Sequence, residues 1–198
     1  MSIVLVTGFE PFHKASANPS QAIVEELRNA GIAGLHFQIL PVIFGESSRK
    51  LISTIEELRP NIVISLGQAE GRKEITPERV AINLEDARIE DNAGHQPKNV
   101  PINVEGPAQF ESTLPIDEIV SELQSVGIPA TPSESAGTFV CNHLFYKLQQ
   151  FTCTREIKSG LIHVPLMESQ TPEFQGLPTM KLETMVRAIS IAIEVSRS

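Results

Sequence analysis

Two cysteines stand twelve positions apart, Cys141 in SAGTFVCNHLFYKL and Cys153 in FTCTRE. Only the first has surroundings that suit a nucleophile. Ala136, Gly137 and Thr138 lead into it, and a run with helical spacing follows, with Leu144, Leu148 and Phe151 on one face. Cys141 then falls in the first turn of a helix, where unpaired N–H groups and the helix dipole favour a thiolate. Such settings lower a cysteine pKa from ~8.5 to roughly 3.5–7.5. A free cysteine is also a good small buried hydrophobe. On local pattern both readings of Cys141 stand, whereas Cys153, past the helix end, reads as a plain packed residue.

A nucleophilic thiol needs a base. Five histidines are available. His143 is two residues from Cys141 on the same helix, rotated about 200° away from it. His36 precedes an apolar strand and reads as a surface or strand-edge residue. His13 and His95 sit in loops with nothing to fix their geometry. His163, in GLIHVP, lies near the carboxyl end of an expected strand, although a satisfied core histidine would look the same. A third group should orient the imidazole, and ITPERVAINLEDARIEDN offers Glu78, Glu85, Asp86, Glu90 and Asp91. Spacing does not choose among them.

The elements that must position these groups alternate. IVLVTG, LHFQILPV, NIVISLG and GLIHVPL read as strands, the first and third as short buried runs. Helices are expected over NPSQAIVEELRNAG, where Asn18 caps, Pro19 suits the first turn and Gly31 closes, and over 46–59, 115–126, 138–151 and 178–195. Ile23, Leu27 and Ala30 mark one face of the first helix. Residues 68–114 read as hairpins and loops near the active face. The pattern implies an α/β protein, a single-domain (1–198) three-layer α/β/α sandwich with a largely parallel central sheet. Ligands in such folds bind beyond the carboxyl ends of the strands, so the loops after Gly8, Gly67 and His163 and the turn before Cys141 should share one face.

Composition narrows the class. The chain has 198 residues, 41% hydrophobic and 20% charged, with a formal net charge of −8 at pH 7. An acidic balance argues against nucleic acid as a partner and against an anionic membrane surface, because phosphate binding needs clustered Lys and Arg. No apolar run is long enough for a membrane span. The apolar start lacks a basic n-region and a cleavage site and reads as a strand. The cysteine spacing matches no metal pattern, and reduced thiols fit a cytoplasmic location. VTGFEPF places Phe and Pro where a dinucleotide loop needs glycine, and GQAEGRK lacks the G-K-[ST] of a P-loop. No cofactor or metal is expected.

GFEPF, NPS, GRKEITPERVAIN, DARIEDNAG, SAGTFVCN and IHVP occur in this order. Together they resemble the pyrrolidone-carboxylate peptidases, the type I pyroglutamyl peptidases, from Val4 to about Pro165, and the final helix fits too. The resemblance implies a cysteine omega peptidase that removes N-terminal pyroglutamate from peptides, with Cys141, His163 and Glu78 as its catalytic residues. It implies that Phe9 and Phe12 sandwich the pyroglutamyl ring, that Asn18 lies beside that pocket, and that Arg88 assists near the catalytic centre. It also implies a homo-oligomer, often a homotetramer. Glu90 departs from the proline common at its place, and Glu134 from a neutral polar residue. A non-catalytic small-ligand binding module with a packed Cys141 is the competing reading.

Overall fold

The structure is a computed structural model that describes residues 2–13 and 15–198. In chain order the elements are β1 (Val4–Phe9), α1 (Pro19–Asn29), β2 (Leu35–Leu40), α2 (Glu46–Leu58), β3 (Ile62–Gln68), β4 (Thr76–Pro77), β5 (Val80–Ile82), β6 (Gln109–Glu111), α3 (Ile116–Ser125), α4 (Val140–Thr152), β7 (Lys158–Val164), β8 (Leu166–Met167), β9 (Thr179–Met180) and α5 (Leu182–Arg197). A five-stranded sheet runs β2-β1-β3-β7-β4. Its first four strands are parallel, and β4 is antiparallel to β7.

Alternation along the strands builds two cores. Val4, Val6, Ile62, Ile64, Ile162 and Val164 face α1, α3 and α5, meeting Ile23, Leu27, Ile119, Leu123, Met185 and Ile189. Leu5 and Val63 face the other way, onto Leu51 and Ile55 of α2 and Val140, Leu144 and Leu148 of α4. Helices therefore cover both sides of a mostly parallel sheet, the three layers expected from the alternating pattern. No helix among the described residues is long and apolar enough to cross a membrane.

Local signals place the elements well. Asn18 caps α1, its side chain accepting from Ser20 N at 3.0 Å, and Gly31 beyond the helix end has φ 65°, a left-handed conformation that favours glycine. Val24, rather than the exposed Ala30, completes the buried face of α1. The final helix starts at Leu182 and not at 178, because Thr179 and Met180 pair in parallel with Leu166 and Met167. A backbone committed to a strand ladder cannot also supply the first helical turn.

The neighbour order reverses at β1, which has β2 on one side and β3 on the other. Chain leaving β1 and β3 diverges there and opens a crevice at their carboxyl ends. Gly8 makes the turn into α1 possible: a methyl group on it would stand 2.4 Å from the Ser20 carbonyl oxygen. Gly8→Ala must push the start of α1 away from β1. We expect it to destabilise the fold by about 1–3 kcal/mol, as overpacking does. An unchanged midpoint in thermal unfolding would refute this close contact.

Candidate active site

The crevice collects the side chains singled out by pattern. His163 is the penultimate residue of β7 and lies opposite Gly67 of β3. On its other side β4 runs antiparallel, with Thr76 opposite His163 and Pro77 opposite Ile162. Glu78 follows directly, its N–H donating to Leu161 O at 2.9 Å. This short reversal delivers a completely buried carboxylate to the imidazole. His163 Nδ1 and Glu78 Oε1 are 2.6 Å apart. An ionised carboxylate only accepts, so Nδ1 carries the hydrogen and Nε2 is left with a free lone pair.

That lone pair faces the space over Gly67. A methyl group there would stand 3.0 Å from His163 Nε2 and 2.9 Å from Cys141 Sγ. Thiol and imidazole therefore share a gap that any side chain at 67 would fill. Cys141 is the second residue of α4, whose first turn has no side-chain cap. Its leading N–H groups have no partner within the helix.

The charges settle differently from the first-turn expectation. Burial, reinforced by the Glu78 carboxylate and opposed by the Arg72 guanidinium, pushes the half-buried Cys141 thiol up to about 12 rather than down. Burial of Glu78 likewise favours its neutral form. The hydrogen bond and charge of His163, then Ser133 and Arg72, outweigh that and hold it below the usual carboxylate range. The resting site is thus a neutral thiol beside a carboxylate-backed imidazole.

A cavity of about 480 Å³ opens over these groups, lined by Phe9, Phe12, Asn18, Arg88, Cys141 and His163 among others. Glu78 lies behind His163, outside the lining. Phe9 is almost fully buried in the α2–α4 core, so it forms floor more than wall. The facing ring of Phe12 is instead Phe139, centroids 6.1 Å apart, and Phe44 braces Phe139 edge-on at 5.4 Å. Asn18 Oδ1 is used by Ser20 N and Oγ, and Nδ2 donates to Glu10 O, which leaves one amide hydrogen for a ligand. Arg88 is exposed at the rim. Cys153 is also exposed, at the end of α4, and not the packed residue expected.

The other carboxylates of that stretch lie elsewhere. Glu85 pairs with His143 Nδ1, while Gly45 N donates to His143 Nε2 at 3.2 Å. His143 does face away from Cys141, and it ties α4 to the start of α2. Asp91 is buried as a loop organiser, accepting from Phe44 N at 2.9 Å and from Ala93 N and His95 N at 2.8 and 2.9 Å. Asp86 lines the cavity and Glu90 is exposed. Glu134 pairs with Arg79 at the surface. Sequence reasoning passed over Arg72, Phe139 and Asn142. Asn142 is fully buried, donating to Ile82 O and Leu84 O at 2.9 and 3.0 Å and accepting from Ile82 N at 3.0 Å. A buried-helix run carrying Asn directly after Cys was the available signal.

With the thiol raised, an ultraviolet titration of thiolate absorbance should show no step for Cys141 from about pH 6 to about pH 9, where a free thiol near ~8.5 would ionise. Comparison with Cys141→Ala isolates the signal from Cys153. A Cys141 step near neutrality would mean that the helix terminus outweighs burial.

Comparison with known proteins identifies the family. A sequence model of the family described as Pyroglutamyl peptidase matches residues 2–198. A pyrrolidone-carboxylate peptidase of Escherichia fergusonii is 47% identical over 98% of this chain and 92% of its own. One from Bacillus cereus is 46% identical over 99% and 93%. The crystal structure of pyroglutamyl peptidase I from Bacillus amyloliquefaciens superposes with a TM-score of 0.94 at 43% identity, covering 98% of this chain and 94% of that one. A pyrrolidone carboxyl peptidase from Pyrococcus furiosus does so at 0.92 and 39%. A match over nearly the whole length, in sequence and in fold, means that the chain belongs to the pyroglutamyl peptidase family of cysteine peptidases.

Proposed function

We propose that this pyroglutamyl peptidase cleaves the bond after an N-terminal pyroglutamyl residue of peptides through Cys141, His163 and Glu78. The observation that carries the reading is the meeting of Sγ and Nε2 over Gly67, with Nδ1 held by a buried carboxylate. As the sulfur attacks the carbonyl carbon, its proton passes to His163 Nε2. N–H groups at the start of α4, that of Cys141 included, face the developing oxyanion, with Arg88 at the rim. His163 returns the proton to the leaving amine as the C–N bond breaks. Water, deprotonated by the same nitrogen, then hydrolyses the thioester, releases pyroglutamate and restores the thiol. Glu78 keeps Nδ1–H directed and stabilises the imidazolium without taking the proton.

The substrate terminus is a neutral, flat lactam. The walls formed by Phe12 and Phe139 over Phe9 suit its ring, and the spare Asn18 amide hydrogen suits its carbonyl. Two free cysteines fit a reducing cytoplasm, and the family resemblance supports a homo-oligomer.

The enzyme should cleave a pyroglutamyl amide chromogen and leave glutamyl, glutaminyl and prolyl analogues intact, since each brings a cationic amine into an apolar pocket, at several kcal/mol if unpaired. Comparable prolyl cleavage would show that the lactam is not recognised. Cys141→Ala should abolish turnover while Cys153→Ala retains it. A failure of reduced protein to cleave the pyroglutamyl amide would favour the binding-module alternative. Gly67→Ala fills the gap between sulfur and base and should lower kcat by about 10²-fold, the effect of roughly ångström-scale misplacement. Wild-type kcat in that variant would refute the shared gap.

A further inference from the structure

We propose that Arg72 is a positioning residue for this reaction, one that holds the Glu78 carboxylate in register with His163 and places a second cation beside the oxygen the imidazole uses. The inference rests on the roles assigned above to Cys141, His163 and Glu78. Arg72 lies in the turn that follows β3, its N–H donating to Ala69 O at 3.3 Å. The guanidinium makes three contacts: Nη1 with Glu78 Oε1 and with Thr76 Oγ1, each at 2.6 Å, and Nη2 with Ser135 O at 2.8 Å. The oxygen it grips is the one that accepts from His163 Nδ1.

This arrangement has a particular consequence. Glu78 Oε2 is buried, so the carboxylate is oriented mainly through the two side-chain donors on Oε1. Oε1 is fixed by two donors at once, and loss of the guanidinium leaves the imidazole alone to hold it. A fixed planar fork suits that task better than a mobile ammonium. The Ser135 contact extends the same grip to the segment leading into Cys141.

Charge gives the second effect. Arg72 is partly exposed, with 29% of its side chain accessible, whereas Glu78 is sealed. Before reaction the carboxylate oxygen is shared by the Arg72 guanidinium and the His163 imidazole. When His163 accepts the thiol proton, two cations face one anion. Arg72 therefore opposes early protonation of His163 and favours return of the proton to the leaving amine. The titratable groups facing His163 are Glu78, Cys141 and Arg72, with His13, Glu70, Asp86 and Arg88 farther around the cavity. All but Arg72 persist in an Arg72 variant, so a change in pH profile reports the lost guanidinium. A strut that only supports the Ser135 segment would weaken activity without moving that profile.

The test measures kcat and KM for a pyroglutamyl amide across pH in the full-length wild type, Arg72→Gln and Arg72→Lys, with Glu78→Gln and His163→Ala as references. Arg72→Gln should lower kcat roughly tenfold to a hundredfold, the range in which outer hydrogen-bond partners act, with KM changed less than about twofold. Its acid limb in kcat/KM should move upward by about half a unit to one unit as the opposing charge is lost. Arg72→Lys should return the limb toward wild type while recovering only part of kcat, and it carries the test alone if Arg72→Gln does not fold. A wild-type kcat and limb in Arg72→Gln would overturn the proposal, as would a loss of kcat with an unmoved limb. If Glu78→Gln and His163→Ala also turn over normally, the underlying catalytic assignment fails instead. If those two are crippled and the Arg72 variants are not, only the role of Arg72 falls.

Discussion

A carboxylate with no exposed surface is the constraint around which this structure is arranged. An unpaired charge in such a place carries a desolvation penalty of several kcal/mol, so Glu78 exists as an anion only because the chain supplies partners from separate segments. His163 comes from the parallel sheet, Arg72 from the turn after β3, and Ser133 from the segment that meets Glu78 in an isolated parallel β-bridge. The antiparallel reversal at Thr76–Pro77 is what brings all of them within reach. Without it the sheet would still form, but the imidazole would have no defined tautomer and no reason to point its other nitrogen at the sulfur.

The sheet imposes a complementary requirement on size. In paired parallel strands, residues directly across from each other project to the same face, so Gly67 and His163 compete for one volume. Glycine yields it to the imidazole and to the sulfur arriving from α4. Gly8 resolves a similar conflict one strand away, between β1 and the start of α1. Both lie at the carboxyl ends of their strands, where backbone segments converge before diverging again at the crevice.

Much of this was legible in the residues. Asn18–Pro19 and Gly31 bound α1 as punctuation alone suggests, and the apolar runs at 3–8 and 61–67 are buried strands, whereas the run at 160–166 splits at Pro165 into the end of β7 and the start of β8, which pairs in another sheet. Cys141 at a helix start and His163 at a strand end were identifiable because both are defined by local periodicity. Glu78 was not separable from its four neighbours by spacing, since a two-residue strand has no periodicity to read; the family motif selected it. Arg72 entered only within a failed phosphate loop and within the family motif GRKEITPERVAIN, with no role of its own, because its partners are reached by tertiary folding. The role of Phe139 depends on Phe12, 127 positions earlier in the chain. The thiol shows the sharpest limit. A helix terminus can be seen in sequence, but the burial and the neighbouring carboxylate that outweigh it cannot.

The two residues after the cysteine have a bearing on its freedom. Asn142 bonds the backbone of β5 and the residue two beyond it, and His143 bonds Gly45 and Glu85 on another side. The first turn of α4 is thereby pinned from two directions and can neither slide nor unwind without breaking buried contacts. What remains mobile at the nucleophile is a single torsion, rotation about its Cα–Cβ bond. The approach of sulfur to a bound carbonyl is then a search in one dimension, and the entropy usually lost in aligning two reactants has already been removed when the chain folds.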